Sequence, residues 1–155
     1  MEIEAKIEID KGKFDEINRK IGKPRQNLQR NYVYVFDFGI IRIRSENGKA
    51  FLTIKGRNKK SEFSKRHEIE CEVPKSFYDR FSKIAFFLGN PFYYEKYRAS
   101  SKYGSCVVSL DRLDERYFVE IEGDERDIRN NIEDLALRDW PIRKESYTQM
   151  ARGEK

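Results

Sequence analysis

The 155-residue chain holds two cysteines, one histidine, one tryptophan and four prolines. Cys71 and Cys106 are too few and too far apart for a disulfide framework or a zinc site, so both are read as ordinary strand residues in a reducing compartment. No apolar run approaches the ~20 residues that a membrane-spanning helix needs. The opening MEIEAKIEID starts with acids and alternation, where a secretory leader would start with a basic and then an apolar stretch. These absences place the protein in the cytoplasm with no membrane partner. Low-complexity tracts, internal repeats and Pro/Gly/Ser-rich linkers are also missing, so residues 1–155 are read as one domain.

Charge is what the chain has in excess. Charged residues make up 38% of it, against ~25% in ordinary soluble domains. The net charge of +5 favours an anionic partner. However, the 32 basic and 27 acidic residues are interleaved along the chain, and a nucleic-acid binder would gather its basic residues into a patch. Nucleic acid is therefore disfavoured as the partner.

Three stretches carry helical spacing. Phe14, Ile17 and Ile21 recur ahead of the stop signals Gly22 and Pro24; Phe77, Phe81, Ile84, Ala85 and Leu88 run from Pro74 to Gly89; Ile128, Ile132 and Leu135 follow the candidate N-cap Asp124. Most of the remainder alternates with period two. Strands are expected near 2–9, 29–37, 40–46, 50–57, 65–73, 93–102, 105–112 and 116–122, with turns at Asn47-Gly48 and Tyr103-Gly104. Eight strands with three helices and short connections predict an antiparallel α+β domain, curved or closed into a barrel with flanking helices.

Residues two apart on a strand share a face. One face collects Glu2, Glu4, Lys6 and Glu8, then Arg42 and Arg44, Thr53 and Lys55, Arg66, Glu68, Glu70 and Glu72, Lys96 and Arg98, and finally Glu120 and Glu122, with Asp111 closing the strand before. A merely solvated sheet face also alternates, but it usually mixes in Ser, Thr, Gln and Asn. Here nearly every polar position is a full charge. If helices cover the apolar face, the charged face lines a groove or tunnel. Crowded carboxylates there call for divalent cations, and clustered Arg and Lys call for a polyanion; a metal-bound polyphosphate meets both demands.

The order of these residues resembles that of the CYTH family, the triphosphate tunnel metalloenzymes. The resemblance rests on Glu2-Ile3-Glu4-Ala5-Lys6, Ile41-Arg42-Ile43-Arg44, Leu52-Thr53-Ile54-Lys55-Gly56, Arg66-His67-Glu68-Ile69-Glu70, Lys96-Tyr97-Arg98, Leu110-Asp111 and Glu120-Ile121-Glu122, with Ser146-Tyr147 as a further element. It implies an eight-stranded antiparallel β-barrel, the triphosphate tunnel, that binds triphosphate with Mg²⁺ or Mn²⁺. Lys6, Arg42, Arg44, Lys55, Arg66, Lys96 and Arg98 would then grip phosphate. Glu2, Glu4, Glu120 and Glu122 would hold metal, with Glu68, Glu70 and Asp111 completing the acidic wall. Lys6 and Glu4 are the implied catalytic pair. Two segments depart from the family pattern: 31–37 matches its aromatic-Asp element only loosely, and 111–116 lacks the usual glycine.

The implied reaction is metal-assisted hydrolysis of a small triphosphate. Inorganic triphosphate is preferred because no motif visibly recognises a base. Class IV adenylate cyclase, making cyclic AMP and pyrophosphate from ATP, is the alternative, with thiamine triphosphate a third candidate substrate. A binding module for RNA ends or polyphosphate, using Tyr32, Tyr34, Tyr93, Tyr94 and Tyr97, leaves the paired glutamates unexplained; these aromatics are expected under the helices or at the tunnel mouth. His67 falls on the apolar face, Trp140 is read as a packing residue, and 57–60 as a solvated loop. Phe86-Phe87 and Phe92-Tyr93-Tyr94 fit a dimer contact and core burial equally well.

Overall fold

The computed structural model describes residues 1–59 and 61–153. Its strands are β1 (Glu2–Ile9), β2 (Asn27–Phe36), β3 (Gly39–Glu46), β4 (Lys49–Gly56), β5 (Ser64–Arg66), β6 (Glu68–Val73), β7 (Phe92–Tyr103), β8 (Cys106–Leu113), β9 (Arg116–Glu122) and β10 (Ile142–Arg143). The helices are α1 (Lys11–Lys20), α2 (Lys75–Ile84), α3 (Glu125–Asp134) and α4 (Tyr147–Ala151), with one 3₁₀ turn at Ala85–Phe87. Neighbouring strands run in the order β10-β1-β9-β8-β7-β2-β3-β4-β6, all antiparallel, and β5 pairs with β1. A single residue, His67, separates β5 from β6. The run from Ser64 to Val73 therefore bridges β1 to β4 and brings the sheet around on itself as an eight-staved barrel, with β10 added beside β1.

Each expected strand is present, within two residues at either end. The difference lies in the stave expected at 65–73, which breaks in two so that it can serve neighbours at different heights. At the break the His67 carbonyl accepts from Gly56 N–H at 2.9 Å and its side chain is exposed. His67 is thus a hinge residue and not part of a covered apolar face. The Asn47-Gly48 turn has positive φ at both residues, as a two-residue hairpin requires. Gly39 is obligate for a different reason: a Cβ there would lie 1.9 Å from the Lys55 carbonyl oxygen.

The outer faces of β1, β8 and β9 bury Ala5, Ile7, Val108, Leu110, Val119 and Ile121 against Phe14 and Ile17 of α1 and Ile128 of α3. Trp140 packs on the edge of this core, as a packing residue should. Asp10 caps α1 by accepting from Lys13 N–H at 2.7 Å, whereas Asp124 occupies the N-cap position of α3 without a side-chain bond. On the far side α2 covers less. Tyr32 meets Tyr78 and Tyr93 with tilted rings and Phe81 edge-on, and the Tyr34 hydroxyl donates to the Ala85 carbonyl at 2.6 Å. Ile69 on β6 remains 70% exposed and Phe87 89% exposed, so neither the outer face of β6 nor Phe86-Phe87 belongs to a core. Two pieces went unforeseen in the C-terminal segment, β10 and α4. Helix α4 opens with a full capping box between Ser146 and Gln149.

Candidate active site in the tunnel

The inward faces of β1, β3, β4, β5, β6, β7 and β9 meet around a cavity of about 210 Å³. Thirteen of the fourteen expected site residues line it: Glu2, Glu4, Lys6, Arg42, Arg44, Lys55, Arg66, Glu68, Glu70, Lys96, Arg98, Glu120 and Glu122. Asp111 is the exception. It is fully buried behind the lining, where its carboxylate accepts from Lys96 Nζ at 2.9 Å, Arg98 Nε at 2.7 Å and the Tyr147 hydroxyl at 2.5 Å. Burial pushes the Asp111 carboxyl upward, but Arg98 and Lys96 overcome it and hold the group below the usual carboxylate range. Its place is to orient cations, not to complete a wall.

The acidic residues divide into two kinds. Glu70 is clasped by Arg42 at 3.2 Å, Arg44 at 3.0 Å and the Thr53 hydroxyl at 2.7 Å; Glu68 meets Lys55 at 2.6 Å. Burial pushes both upward, but a hydrogen bond with Glu2 and then Lys55 hold Glu68, and Arg44, Thr53 and Arg42 hold Glu70, below the ordinary value. On β1 and β9 the carboxylates crowd one another, with Glu4 directly opposite Glu122 and Lys6 opposite Glu120. Burial and then Glu120 raise Glu4; burial and then Glu68 raise Glu2; burial and then Glu2 raise Glu122. Glu120 goes the other way: burial pushes it up, but Arg98 and the lysines around it hold it well down. Among the described residues no three acidic or sulfur or imidazole ligands already converge as a metal-binding group. Lys55 pairs with Glu2 and Arg66 with Glu4, each at 3.2 Å, yet burial and the neighbouring acids still raise both; together with Glu122 they form a donor set whose chemistry suits a hard divalent cation.

The cations are arranged for an anion. Among the described residues the buried Nε–H groups of Arg42, Arg44 and Arg66 make no hydrogen bond, although Glu46 and Glu2 lie 3.6 and 3.7 Å from those of Arg44 and Arg66. An unmade bond on a buried charged donor costs about 1–3 kcal/mol or more, so these groups await an acceptor. Lys96 is buried, and desolvation together with Arg98 lowers its pKa to about 7. The ammonium groups of Lys6 and Lys96 lie over the Tyr147 ring, 4.2 and 3.8 Å from its centroid. Helix α4 thus plugs one end of the tunnel, seating Tyr147 and Met150 on Val33, Tyr94, Leu113 and Phe118.

Sequence reasoning noted Ser146-Tyr147 without a role and passed over the inward amides of Gln29 and Asn31, which are buried. Parity along β2 would have found both. A second cavity, of about 450 Å³, shares Glu4, Lys6, Ile40, Arg66, Ser146 and Thr148 with the first and opens beyond α4. No helix among the described residues is long and apolar enough to cross a membrane.

Several solved structures share this architecture. A candidate adenylyl cyclase from Hippeastrum that reveals a dominant triphosphatase activity superposes with a TM-score of 0.77 at 16% identity, covering 100% of this chain and 97% of that one. A conserved hypothetical protein from Pyrococcus furiosus gives 0.77 at 22% identity, covering 96% and 99%. A candidate adenylate cyclase from Vibrio parahaemolyticus gives 0.69 at 18%, covering 97% of each chain. At these identities the likeness is one of fold. No curated protein matches the chain. The CYTH domain family matches residues 1–152, and with the motifs and barrel described above, the chain belongs to the CYTH domain family.

Proposed function

We propose that the protein is a metal-dependent triphosphatase that cleaves the terminal phosphoryl group of a triphosphate held in the tunnel. The carrying observation is the convergence of seven Lys and Arg side chains on one cavity, three of them with buried unpartnered N–H groups, facing a wall of repelling carboxylates. Arg42, Arg44, Arg66 and Arg98 donate to phosphate oxygens through planar forks, and Lys55 and Lys96 add compact charge. These groups neutralise the charge that develops on the equatorial oxygens and keep the chain in line for attack. Glu2, Glu4 and Glu122 would hold the metal, with Glu120, already paired to Arg98 and Lys6, joining them through water. When bound, a divalent cation such as Mg²⁺ or Mn²⁺ supplies further charge neutralisation and makes water a better nucleophile. Lys6, fixed by the Glu145 carbonyl at 3.3 Å and Glu120 at 3.5 Å, orients that water. Glu4, basic for a carboxylate, takes up its proton.

The test supplies tripolyphosphate, ATP or thiamine triphosphate with Mg²⁺, Mn²⁺ or chelator, and follows phosphate, pyrophosphate and cyclic AMP. Metal-dependent phosphate release that Glu4→Gln and Arg44→Ala both abolish is the expected result. Cyclic AMP with pyrophosphate would replace the hydrolase by the cyclase. Absence of turnover with metal-independent polyanion binding would leave a binding module.

A further inference from the structure

We infer that the second cavity is the seat of the substrate's organic group, and that its charge selects a neutral planar ring, as in a nucleoside triphosphate, over a cationic one. This rests on the tunnel being the triphosphate site. The annex is the larger of the two connected spaces, about 450 Å³ against 210 Å³. Inorganic triphosphate would occupy the tunnel alone and leave the annex to water.

One annex wall is apolar, formed by Val35 and Phe36 at the end of β2 and Ile40 on β3. Phe36 lies face to face with Phe38, centroids 5.0 Å apart and planes within 6°, and both rings are exposed. Flat rings exposed at the mouth of an otherwise charged site fit stacking on another flat ring. Asn58, whose side-chain oxygen accepts from Ser64 at 2.7 Å, adds an amide within reach of the annex, suited to a hydroxylated linker.

The charged groups of the lining set the sign, Arg57 beside the apolar wall and the others on the C-terminal segment. Beyond the residues shared with the tunnel, the annex is lined by Arg57, Arg143 and Lys144, with Asp37 the one further carboxylate among the described residues. Arg143 is tied to Glu8. Arg57 bonds the Asp37 carbonyl and Lys144 the Ser61 carbonyl, and neither has a carboxylate within ion-pair distance among the described residues. Their charge therefore acts on whatever enters. A quaternary thiazolium such as that of thiamine meets repulsion here, while an uncharged heteroaromatic ring meets none. The segment 31–37 that departs from the family pattern supplies Val35, Phe36 and Asp37, so the departure falls where substrate identity would be read.

The experiment measures calorimetric affinity, with Mg²⁺, for tripolyphosphate, the β,γ-imido analogue of ATP and thiamine triphosphate, alongside turnover of the hydrolysable compounds. The wild type is expected to bind the nucleotide analogue at least tenfold more tightly than thiamine triphosphate. Phe36→Ala should weaken the nucleotide analogue about tenfold relative to tripolyphosphate. Arg57→Glu with Lys144→Glu should close the gap between nucleotide and thiamine. Equal affinity for the two organic compounds, or a Phe36→Ala effect identical on all three ligands, would overturn the annex assignment while leaving the triphosphatase intact. If Arg57→Glu with Lys144→Glu chiefly impairs tripolyphosphate and longer inorganic chains, the annex belongs to further phosphates and the inference fails. Failure to bind or cleave tripolyphosphate itself would instead sink the tunnel reading.

Discussion

Asp111 and Glu122 are both carboxylates on the β8–β9 side of the barrel, yet their surroundings give them opposite energetics. Asp111 is fully buried among Lys96, Arg98 and Tyr147, so removing its charge takes from buried Lys96 its carboxylate hydrogen-bond partner and leaves Arg98 with Glu120 alone among the described carboxylates. Asp111→Asn should lower stability by about 3–5 kcal/mol, seen as a depressed unfolding midpoint. Glu122 is surrounded by other acids, and Glu122→Gln should hold or raise the midpoint while raising the metal concentration needed for activity. Reversal of that pair of outcomes would contradict the division of the acids into cation-orienting and metal-holding sets. Thr53 also acts through a neighbour: its hydroxyl donates to Glu70 and accepts from Arg42 at 3.3 Å. Thr53→Val should raise KM for triphosphate several-fold with little change in kcat, and Thr53→Ser should restore it. Lys96 carries the clearest pH signature. Its charge is present below about 7 and lost above, so triphosphate affinity in chelator should fall as pH rises through neutrality. Lys96→Met should flatten that slope.

At the scale of elements, the C-terminal segment is held by few contacts of high consequence. β10 pairs with β1 through Lys6–Arg143 and Ile7–Ile142 alone, and Glu8 reinforces it by accepting from Arg143 at 2.8 Å and Arg116 at 2.9 Å. These arginines hold Glu8 below its usual range, Arg116 foremost. A depressed carboxyl contributes stability above its unfolded pKa of about 4.5 and loses it as pH falls through the folded value. Glu8→Gln should therefore cost up to about 1 kcal/mol per pair at pH 7, the ceiling for partly exposed pairs, and nothing in strong acid. Parallel denaturant titrations at the two pH values measure it. Because β10 leads directly into α4, the same substitution should loosen the Tyr147 plug.

Over the whole molecule, the barrel concentrates charges of each sign in its interior and leaves buried donors unsatisfied. Such a structure gains from its ligand twice, through the bonds made and through the repulsion relieved. Tripolyphosphate should stabilise the fold even in chelator, by about 2.7 kcal/mol at a hundredfold excess over Kd, read as a raised unfolding midpoint. The carboxylates Glu2, Glu4 and Glu122 protonate earlier than ordinary ones on acidification. Metal-dependent activity should accordingly decline on the acid side before an ordinary carboxylate would titrate, and excess Mn²⁺ should move that limb to lower pH.

The sequence by itself determined the strands and their inward residues, because period-two alternation is a local property and each stave carries its own copy. The thirteen expected residues that line the cavity were placed together for that reason. Three things were not local. The break at His67 comes from one chain segment having to pair with β1 below and β4 above. Asp111 looked like its fellow acids until two neighbouring strands placed Lys96 and Arg98 against it, and α4 added Tyr147. The annex exists only where β1, β2, β3, the 56–58 loop and the C-terminal segment meet, residues from Glu4 to Arg152 that lie far apart in the chain. Charge alternation wrote the wall of the tunnel; which charges neutralise each other, and which remain for a ligand, was decided by closure of the barrel.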